Sequence, residues 1–551
     1  MIQSIRPYLV SFARERPRAV VFLLLATVFL LFAANVARSY YLNQFAAMYD
    51  NPVYRWRESM AIALSRLQNP PLHGYLAYRS ISNYLNQHGL GLMAGEADPL
   101  PGSDQIHALV FDGPRIEALI RAAATVPIDA SLPPVILHGN ERGLADFYDI
   151  AFRIFGIHVW AFTTLYFVIL AVSAILFFLT FRGSPFCLLL LMLYLLAHFY
   201  MLDFSRQIEV PHNSRFFPVL SFLATMNLFL LVLRGTPLRL TTVAAAMAQM
   251  AILYFVISIR LMALWQALAL IASPLLILDY RRIFLGWKRP RLLPRLTTEV
   301  AMKAWPALLV LVGLIGYLAY TKVAVEETSY RSETASHLFW DPLYGGLISS
   351  SPQLSRLYLP GCTVIESAAC DTERYSDNMV YEAVLADLRK RNEAPPEFTY
   401  ISGGQIMMDA FRNAGAYDRI ARRIFFDVVK KHPLLAIKTL IYDKPRDQLE
   451  ILSHAQLFDL WTYRLVLPMT LGVALVLCLV SFPLPKWRDI QQYAPAVLFL
   501  CLFSSMTTMI LPSSVIVDTI VYYMMLLLFM FVMGCLATFR WAFDRWIQPG
   551  K

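Results

Sequence analysis

Ten long apolar runs constrain this chain more than any other feature of its sequence. A helix needs about 20 apolar residues to cross roughly 30 Å of hydrocarbon. The runs lie at residues 19–37, 159–181, 186–202, 217–233, 240–258, 262–279, 305–323, 461–482, 491–511 and 515–538. Because 58% of the residues are hydrophobic and only 16% are charged, an ordinary soluble domain is excluded. The sequence predicts an all-α polytopic membrane protein with about ten transmembrane helices.

The first run also has features of a cleaved secretory signal. It follows a basic stretch and ends in small residues. Its apolar core is longer than that of a typical signal, however, which favours a retained span.

The distribution of Lys and Arg predicts the orientation of the spans. If the N terminus is cytoplasmic, nineteen Lys and Arg residues fall in cytoplasmic segments and three in short outer loops. This bias is the one expected from the positive-inside rule, and it survives all ten crossings. We therefore expect both termini in the cytoplasm. The net charge of +10 then follows mainly from topology, and no nucleic-acid partner is needed to explain it.

Two long polar segments divide the chain into three regions. Residues 1–323 form an N-terminal transmembrane module that includes a long outer segment, 38–158, in which short helical patterns alternate with Pro and Gly breaks. Residues 324–460 form an α-rich extracytoplasmic domain, with helical spacing at 378–391 and 409–429. Residues 461–551 hold the last spans.

Cysteine placement agrees with this division. Cys362 and Cys370 lie eight residues apart in the second outer segment, where an oxidising compartment favours a disulfide. Two free thiols are the alternative. The four other cysteines lie in apolar runs.

The spans hold almost no Asp, Glu, Lys or Arg away from their ends. A coupled transporter or pump usually needs ionisable groups or broken helices near the membrane midplane. Chemistry is therefore expected at the outer ends of the spans, where three polar clusters occur.

The first cluster follows the first span and contains Asp50 and Glu58. A carboxylate near the membrane surface can take a proton from an acceptor hydroxyl or hold a metal ion. A solvated helix start, with Glu58 near the positive end of the helix dipole, is the alternative.

The second cluster is the loop between the third and fourth spans. It contains Asp203, Arg206, Glu209, His212 and Arg215. The two arginines can hold a phosphate through charge-assisted hydrogen bonds, and the two acids can ligate a divalent metal. A surface network of ion pairs is the alternative.

The third cluster precedes the eighth span and interleaves cations with apolar residues. Its cations are Arg419, Arg422, Arg423, Lys430, Lys431, His432, Lys438, Lys444 and Arg446. Such a segment is typical of the headgroup layer, where cations face lipid phosphates. One or two of them, Lys430 and Lys431 first, are candidates for binding a lipid-linked substrate.

Residues 146–161 (DFYDIAFRIFGIHVWA), 205–209 (SRQIE) and 432–436 (HPLLA), together with the order of spans and loops, resemble the GT-C superfamily of membrane glycosyltransferases. The aromatic stretch ending in Phe155-Gly156 is similar to the approach to the second span in that family. The acidic doublet common after the first span is absent, since Arg57 precedes Glu58, so the base is either Glu58 or Asp50.

The resemblance implies transfer of a sugar from a polyprenyl-phosphate donor to a glycan, lipid or protein acceptor at the periplasmic face of a bacterial inner membrane. Glu58 or Asp50 would act as the base of a single inverting displacement. Arg206, Arg215, His212, Glu209, Lys430 and Lys431 would bind the donor, and a divalent metal is possible. Membrane lipids are the other expected partner.

Three alternatives stay open. An O-antigen-ligase-like or polymerase-like transferase would not need the carboxylate after the first span. A transporter or lipid flippase would move its substrate without forming a glycosyl product. A membrane scaffold would consume no donor.

Overall fold

The structure of the chain is a computed structural model. It describes residues 56–72, 74–88, 113–137, 142–182, 184–204, 216–234, 239–274, 303–324, 340–358, 384, 386–393, 399–402, 405–408, 414–444, 446, 497–504, 522, 525 and 529. This part of the chain is mostly helical. The predicted spans at 19–37 and 461–482 lie outside it.

The described part of the segment before the first described span contains four helices and two short strands. They are α1 (Trp56–Arg66), β1 (Leu76–Ala77), α2 (Arg79–Gln87), α3 (Gly113–Ala124), β2 (Val135–Ile136) and α4 (Arg142–Phe155). The two strands pair in antiparallel fashion, with Leu76 opposite Ile136 and Ala77 opposite Val135. The predicted pattern of short helices is confirmed, whereas the strand pair was not predicted.

Apolar helices follow. They are α5 (Val159–Phe181), α6 (Pro185–Phe204), α7 (Phe217–Arg234), α8 (Leu240–Ile259), α9 (Leu264–Ala272) after a 3₁₀ turn (Leu261–Ala263), and α10 (Trp305–Ala324). Within the described residues, three helices are long and apolar enough to cross a membrane: Trp160–Phe181, Phe217–Arg234 and Leu240–Ile259. They coincide with three of the ten predicted runs. The membrane-like helical character is therefore confirmed, and the total of ten spans stays a prediction.

Helix α7 lies at the centre of the described bundle. It packs against α5, α6, α8, α9 and α10, and nearly all of its side chains are buried. Helix α5, by contrast, exposes a stripe of apolar side chains at helical spacing: Val168, Val172, Ile175 and Leu179. Such a stripe on a helix of membrane length is suited to contact with lipid tails.

Polar side chains inside the bundle bind one another across helices. In α9, the Gln266 amide oxygen accepts hydrogen bonds from Ser221 (2.8 Å) and Thr225 (2.9 Å), and its nitrogen donates to Tyr522 (2.8 Å). Ser173 of α5 donates to Gln249 of α8 at 2.8 Å. In a bilayer such neutral pairs satisfy polar groups that lipid cannot, and they hold helices together.

Helix α4 lies across one end of this bundle because two glycines allow it. Gly143 contacts the backbone of Ser258 and Ile259 in the last turn of α8 so closely that a Cβ there would lie 2.3 Å from the Ser258 carbonyl carbon. At its other end α4 stops at Gly156, which has φ +83° and donates its N–H to Phe152 O at 2.9 Å. Only glycine adopts this left-handed conformation without strain, so Gly156 turns the chain directly into α5.

The second outer segment has its own hydrophobic core. Its elements are α11 (Trp340–Ser349), α12 (Pro352–Tyr358), β3 (Thr399–Ser402), β4 (Gln405–Met408), α13 (Ala414–Lys431) and α14 (Pro433–Lys438), and a π-helical turn (Thr439–Asp443) continues α14. Helices α11 and α13 pack together around Tyr344, Leu347, Tyr417 and Ile424. The predicted helices at 378–391 and 409–429 correspond to helical residues 386–390 and to α13. The antiparallel hairpin β3–β4 was not predicted.

We expect Gly143→Ala to destabilise the protein because the added methyl group meets backbone atoms that cannot rotate away. Overpacking of this kind costs about 3 kcal/mol when the neighbour cannot move. Gly316→Ala in α10 is the matched control, since nothing lies within 4 Å of its Cβ position. Heating purified protein in detergent and measuring the fraction that stays monodisperse compares the two variants. Equal stability of both variants would contradict the close contact between α4 and α8.

Candidate functional site

Glu58 lies in the first turn of α1 and is only 3% exposed. Helix α1 packs against α4, which turns into α5 at Gly156. The carboxylate is therefore enclosed on a helix attached to the end of the apolar bundle. Glu58 is therefore not solvated as the alternative expected, although it does lie in the first turn of a helix, and its catalytic role stays a prediction. Asp50 lies outside the described residues, so the choice between the two acids stays open.

An ion pair fixes α1 to α4. Arg66, whose side chain is 9% exposed, donates to Asp146 at 2.5 Å and to the Gly74 carbonyl at 2.8 Å. Arg153 of α4 donates to the Arg66 carbonyl at 3.0 Å and to Asp149 at 2.8 Å. Since the arginine that holds α4 stands at the end of the helix that carries Glu58, this contact also positions Glu58.

A polar cluster joins α3 to the start of α5. Glu117 accepts from Arg121 at 2.6 Å, and its carboxylate lies 3.2 Å from the His158 Nδ1 atom. Arg121 also donates to the Ile157 carbonyl at 3.2 Å. The His158 ring stacks on Trp160, with 5.0 Å between the ring centroids. These residues fix the junction at which the chain passes from the 38–158 segment into the bundle.

A buried histidine network lies within the bundle, near the first turns of α7. His198 of α6 lies between two tyrosine hydroxyls: Tyr166 at 3.2 Å from Nε2 and Tyr194 at 3.1 Å from Nδ1. Tyr194 donates to the Val219 carbonyl at 2.8 Å, and the Tyr166 hydroxyl lies 3.4 Å from the Phe216 carbonyl. With the proton of a neutral imidazole on Nδ1, Tyr194 accepts from Nδ1 and Tyr166 donates to Nε2, so Tyr166 has no second proton for the Phe216 carbonyl.

This network was missed at the sequence level. His198 stands alone in an apolar run, and its partners come from positions 32 and 4 residues away in the sequence. The only available signal was that a polar residue in a span needs a hydrogen-bonding partner. The network holds the beginning of α7 in place, directly after the predicted phosphate-binding loop.

The predicted phosphate-binding loop lies mostly outside the described residues, and this includes Arg206, Glu209, His212 and Arg215. Asp203 is within α6, but its side chain is not described. The described ends of this loop are Phe204, the last residue of α6, and Phe216, next to the start of α7. The Phe217 ring packs edge-on against Phe147 of α4 at 4.9 Å, so the loop leads into α7 at the end of the bundle where α4 and α1 lie.

The basic cluster divides into two kinds of residues. Arg423 pairs with Glu393 at 2.9 Å, and Arg422 lies over the Trp340 ring at 5.5 Å. These two arginines therefore bind within their own domain. Lys430 and Lys431, at the end of α13, are exposed. Their role in binding the donor phosphate stays a prediction.

A second ion pair in this domain involves Asp427. Arg391 donates to Asp427 and, at 2.8 Å, to Asp387. The hydrogen bond from Arg391 lowers the pKa of the Asp427 carboxyl below its usual range. Asp427 is thus paired with Arg391, and Lys431 and Lys430 make smaller contributions to lowering its pKa.

Predictions on metal and disulfide chemistry stay predictions. Within the described ranges, no three His, Cys, Asp or Glu side chains are grouped as metal ligands would be. The side chains of Asp203 and Glu209, the two predicted ligands, are not among those described. Cys362 and Cys370 also lie outside the described residues. Cys187 and Cys501 are buried free thiols, as expected for residues in apolar runs.

We expect Asp146→Asn to destabilise the protein far more than Asp149→Asn. Removing Asp146 leaves the buried Arg66 without its anionic partner, and losing one member of a buried pair costs about 3 kcal/mol. Asp149 pairs with the half-exposed Arg153 one helical turn away, where such pairs contribute roughly 0.3–0.5 kcal/mol. Denaturation of both variants in the same detergent measures the difference. Similar losses would show that the Arg66 pair does not hold α1 on α4.

Comparisons with known proteins place the chain in no family. No protein-family model, curated protein or solved structure matches it significantly. The function is therefore inferred from the burial, contacts and charges of this chain's own residues.

Proposed function

We propose that the chain is a membrane glycosyltransferase that moves a sugar from a polyprenyl-phosphate donor to a glycan, lipid or protein acceptor. The reaction takes place at the extracytoplasmic face of the membrane, which is the periplasmic face of a bacterial inner membrane. The donor keeps its lipid tail in the bilayer while its headgroup reaches the end of the bundle.

The burial of Glu58 is the observation that carries this proposal. Glu58 is 3% exposed and lies on a helix packed against the approach to an apolar span. This supports our proposal that a lipid-linked substrate and a water-soluble group meet there. Active sites commonly combine an apolar enclosure with a few polar groups that fix the reacting atoms. Glu58 is the acid among the described residues that best fits this description.

The chemistry is one inverting displacement. The Glu58 carboxylate accepts the proton of the acceptor hydroxyl as the hydroxyl oxygen attacks the anomeric carbon. The bond between that carbon and the phosphate oxygen breaks, and the bonding electrons leave with the polyprenyl phosphate. Asp50 is the second candidate for the base. The proton remains on the carboxyl group until it exchanges with solvent.

The leaving phosphate gains negative charge and needs cations. Arg206 and Arg215 are the first candidates, because their loop adjoins α7 at the end of the bundle where α4 lies. Fixed donors aimed at developing charge lower the barrier of such reactions. His212, Lys430 and Lys431 are further candidates. If a divalent metal takes part, Asp203 and Glu209 are its proposed ligands.

The interior of the bundle favours this reading over ion-coupled transport. The polar side chains described there, such as Ser173, Gln249 and Gln266, are neutral and form hydrogen bonds with their neighbours, and the ionisable His198 is bonded to two tyrosines. An ion-coupled carrier needs ionisable groups or broken helices at that depth.

We expect Glu58→Gln to lower sugar transfer at least about a hundredfold, because the amide cannot accept the acceptor proton. The assay uses membranes containing the full chain and a panel of radiolabelled polyprenyl-phosphate hexoses. It follows both labelled product and released polyprenyl phosphate. Asp50→Asn, measured in parallel, decides between the two bases.

Asp129→Asn is the matched control, since Asp129 is an exposed carboxylate in the same outer segment and accepts its hydrogen bonds from Ser131. This variant should transfer sugar like the unmodified protein. Full transfer by both Glu58→Gln and Asp50→Asn would overturn the proposed mechanism and favour a ligase-like transferase. Movement of labelled lipid across sealed vesicles without glycosyl product would favour a flippase.

A further inference from the structure

Helix α14 and the π-helical turn after it present large apolar side chains to the outside. Leu434 is 82% exposed and Ile441 is 74% exposed, while Ile437 and Tyr442 are more than half exposed. We call these four residues the apolar face. They follow one another over 434–442, so the exposure belongs to a continuous helical segment.

The inward side of the same segment is mostly small or polar, and Leu435 is its one large apolar residue packed against the core. Ala436 packs into the core of the second domain, and Thr439 is buried with its hydroxyl bonded to the Leu435 carbonyl at 2.8 Å. An ordinary surface helix has the opposite arrangement, with its large apolar residues directed to the core. The segment is therefore built to contact something apolar outside its own domain.

Cations border the apolar face. Residues 430–446 contain five Lys and Arg residues and a single acid, Asp443. Lys430, Lys431, Lys438 and Arg446 are exposed, and Lys438 lies 3.4 Å from Asp443. The border of the apolar face is thus strongly positive, which complements a negatively charged surface.

We propose that the apolar face lies in the headgroup layer of an anionic bilayer, with its four side chains at the acyl boundary. The lysines that border it, Lys430, Lys431 and Lys438, then contact lipid phosphates. The same chain has three helices of membrane-spanning length, so it contains the means to reach a bilayer. Helices that combine a cationic border with exposed Leu, Ile and Tyr bind the membrane surface in this way. The proposal does not depend on glycosyl transfer and stands or falls separately from it.

A protein partner is the competing occupant. Clusters of exposed apolar residues also form protein interfaces, but interface centres are depleted in Lys. The density of lysines around the apolar face therefore favours lipid.

The test places a photoreactive benzoylphenylalanine at Leu434 or Ile441 in the full chain. Each protein is reconstituted in vesicles of phosphatidylcholine and radiolabelled phosphatidylglycerol. The matched control carries the same residue in place of Arg389, an exposed position on a charged helical stretch of the same domain. Illumination should attach labelled lipid at positions 434 and 441 but not at 389. Labelling at all three positions, or at none, would overturn the proposal, as would protein–protein adducts at 441 in place of lipid adducts.

The charge requirement has its own measurement. Lys430→Gln, Lys431→Gln and Lys438→Gln combined, in the protein with benzoylphenylalanine at 441, should lower the yield of lipid adduct at least about fivefold, since each lysine near an anionic surface favours contact by about that factor. A size-exclusion profile that matches that of the protein with the three lysines establishes that the variant is folded. An unchanged yield in the triple variant would refute the lipid-phosphate contacts.

Discussion

The packing of α4 against the last turn of α8 is the contact on which the rest of this end of the described bundle depends. Gly143 brings the two backbones together, and the α4 aromatic residues then reach the first turns of two other spans: Tyr148 lies 4.3 Å from Phe162, and Phe147 lies 4.9 Å from Phe217, between ring centroids. Helix α4 therefore fixes the ends of three apolar helices at once. Because α1 packs on α4 and carries Glu58, the position of that carboxylate is set by helix packing inside the membrane domain. A small shift of α4 would move the acid together with the beginning of α5.

A bilayer forbids unpaired polar groups along a span, and the described bundle meets this requirement by sharing its polar groups between helices. Gln266 binds residues of α7, Gln249 binds α5, and His198 joins α5 and α6 to the first carbonyls of α7. Each of these contacts stabilises one relative position of two helices, since sliding would break hydrogen bonds that lipid cannot replace. A bundle held in this way is suited to present a fixed surface at its rim. It is less suited to open alternately to the two sides of a membrane.

The sequence predicted the apolar helices well because a long apolar run has few alternative structures in lipid. The run at 159–181 has the bounds of α5, and the runs at 217–233 and 240–258 each end one residue before α7 and α8 do. Local sequence patterns did not predict contacts between segments that are distant in the sequence. Strands β3 and β4 lie between the two predicted helices, where the sequence predicted no element, and they depend on pairing with each other. At the candidate site, Glu58 was identified from its position after a predicted span, but the packing of its helix on α4 is a contact between segments distant in the sequence. The sequence did not identify His198 as a structural residue, because its hydrogen bonds to the two tyrosines are evident only in the structure.

The two buried charges of α1 stand at opposite ends of the helix, in the order that the helix dipole favours. Glu58 occupies the first turn, where backbone N–H groups carry partial positive charge, and Arg66 occupies the last turn, where carbonyls are partially negative. Arg66 has a further partner in Asp146, so its burial is explained by structure alone. Negative charge is favoured at the first turn of a helix, so the dipole supports a carboxylate at this position. Under the proposed reaction, the acceptor hydroxyl donates its hydrogen bond to the Glu58 carboxylate as its proton is removed. Acceptor binding and proton removal would then use the same contact, which gives a carboxylate a reason to be held where a neutral glutamine would be easier to bury.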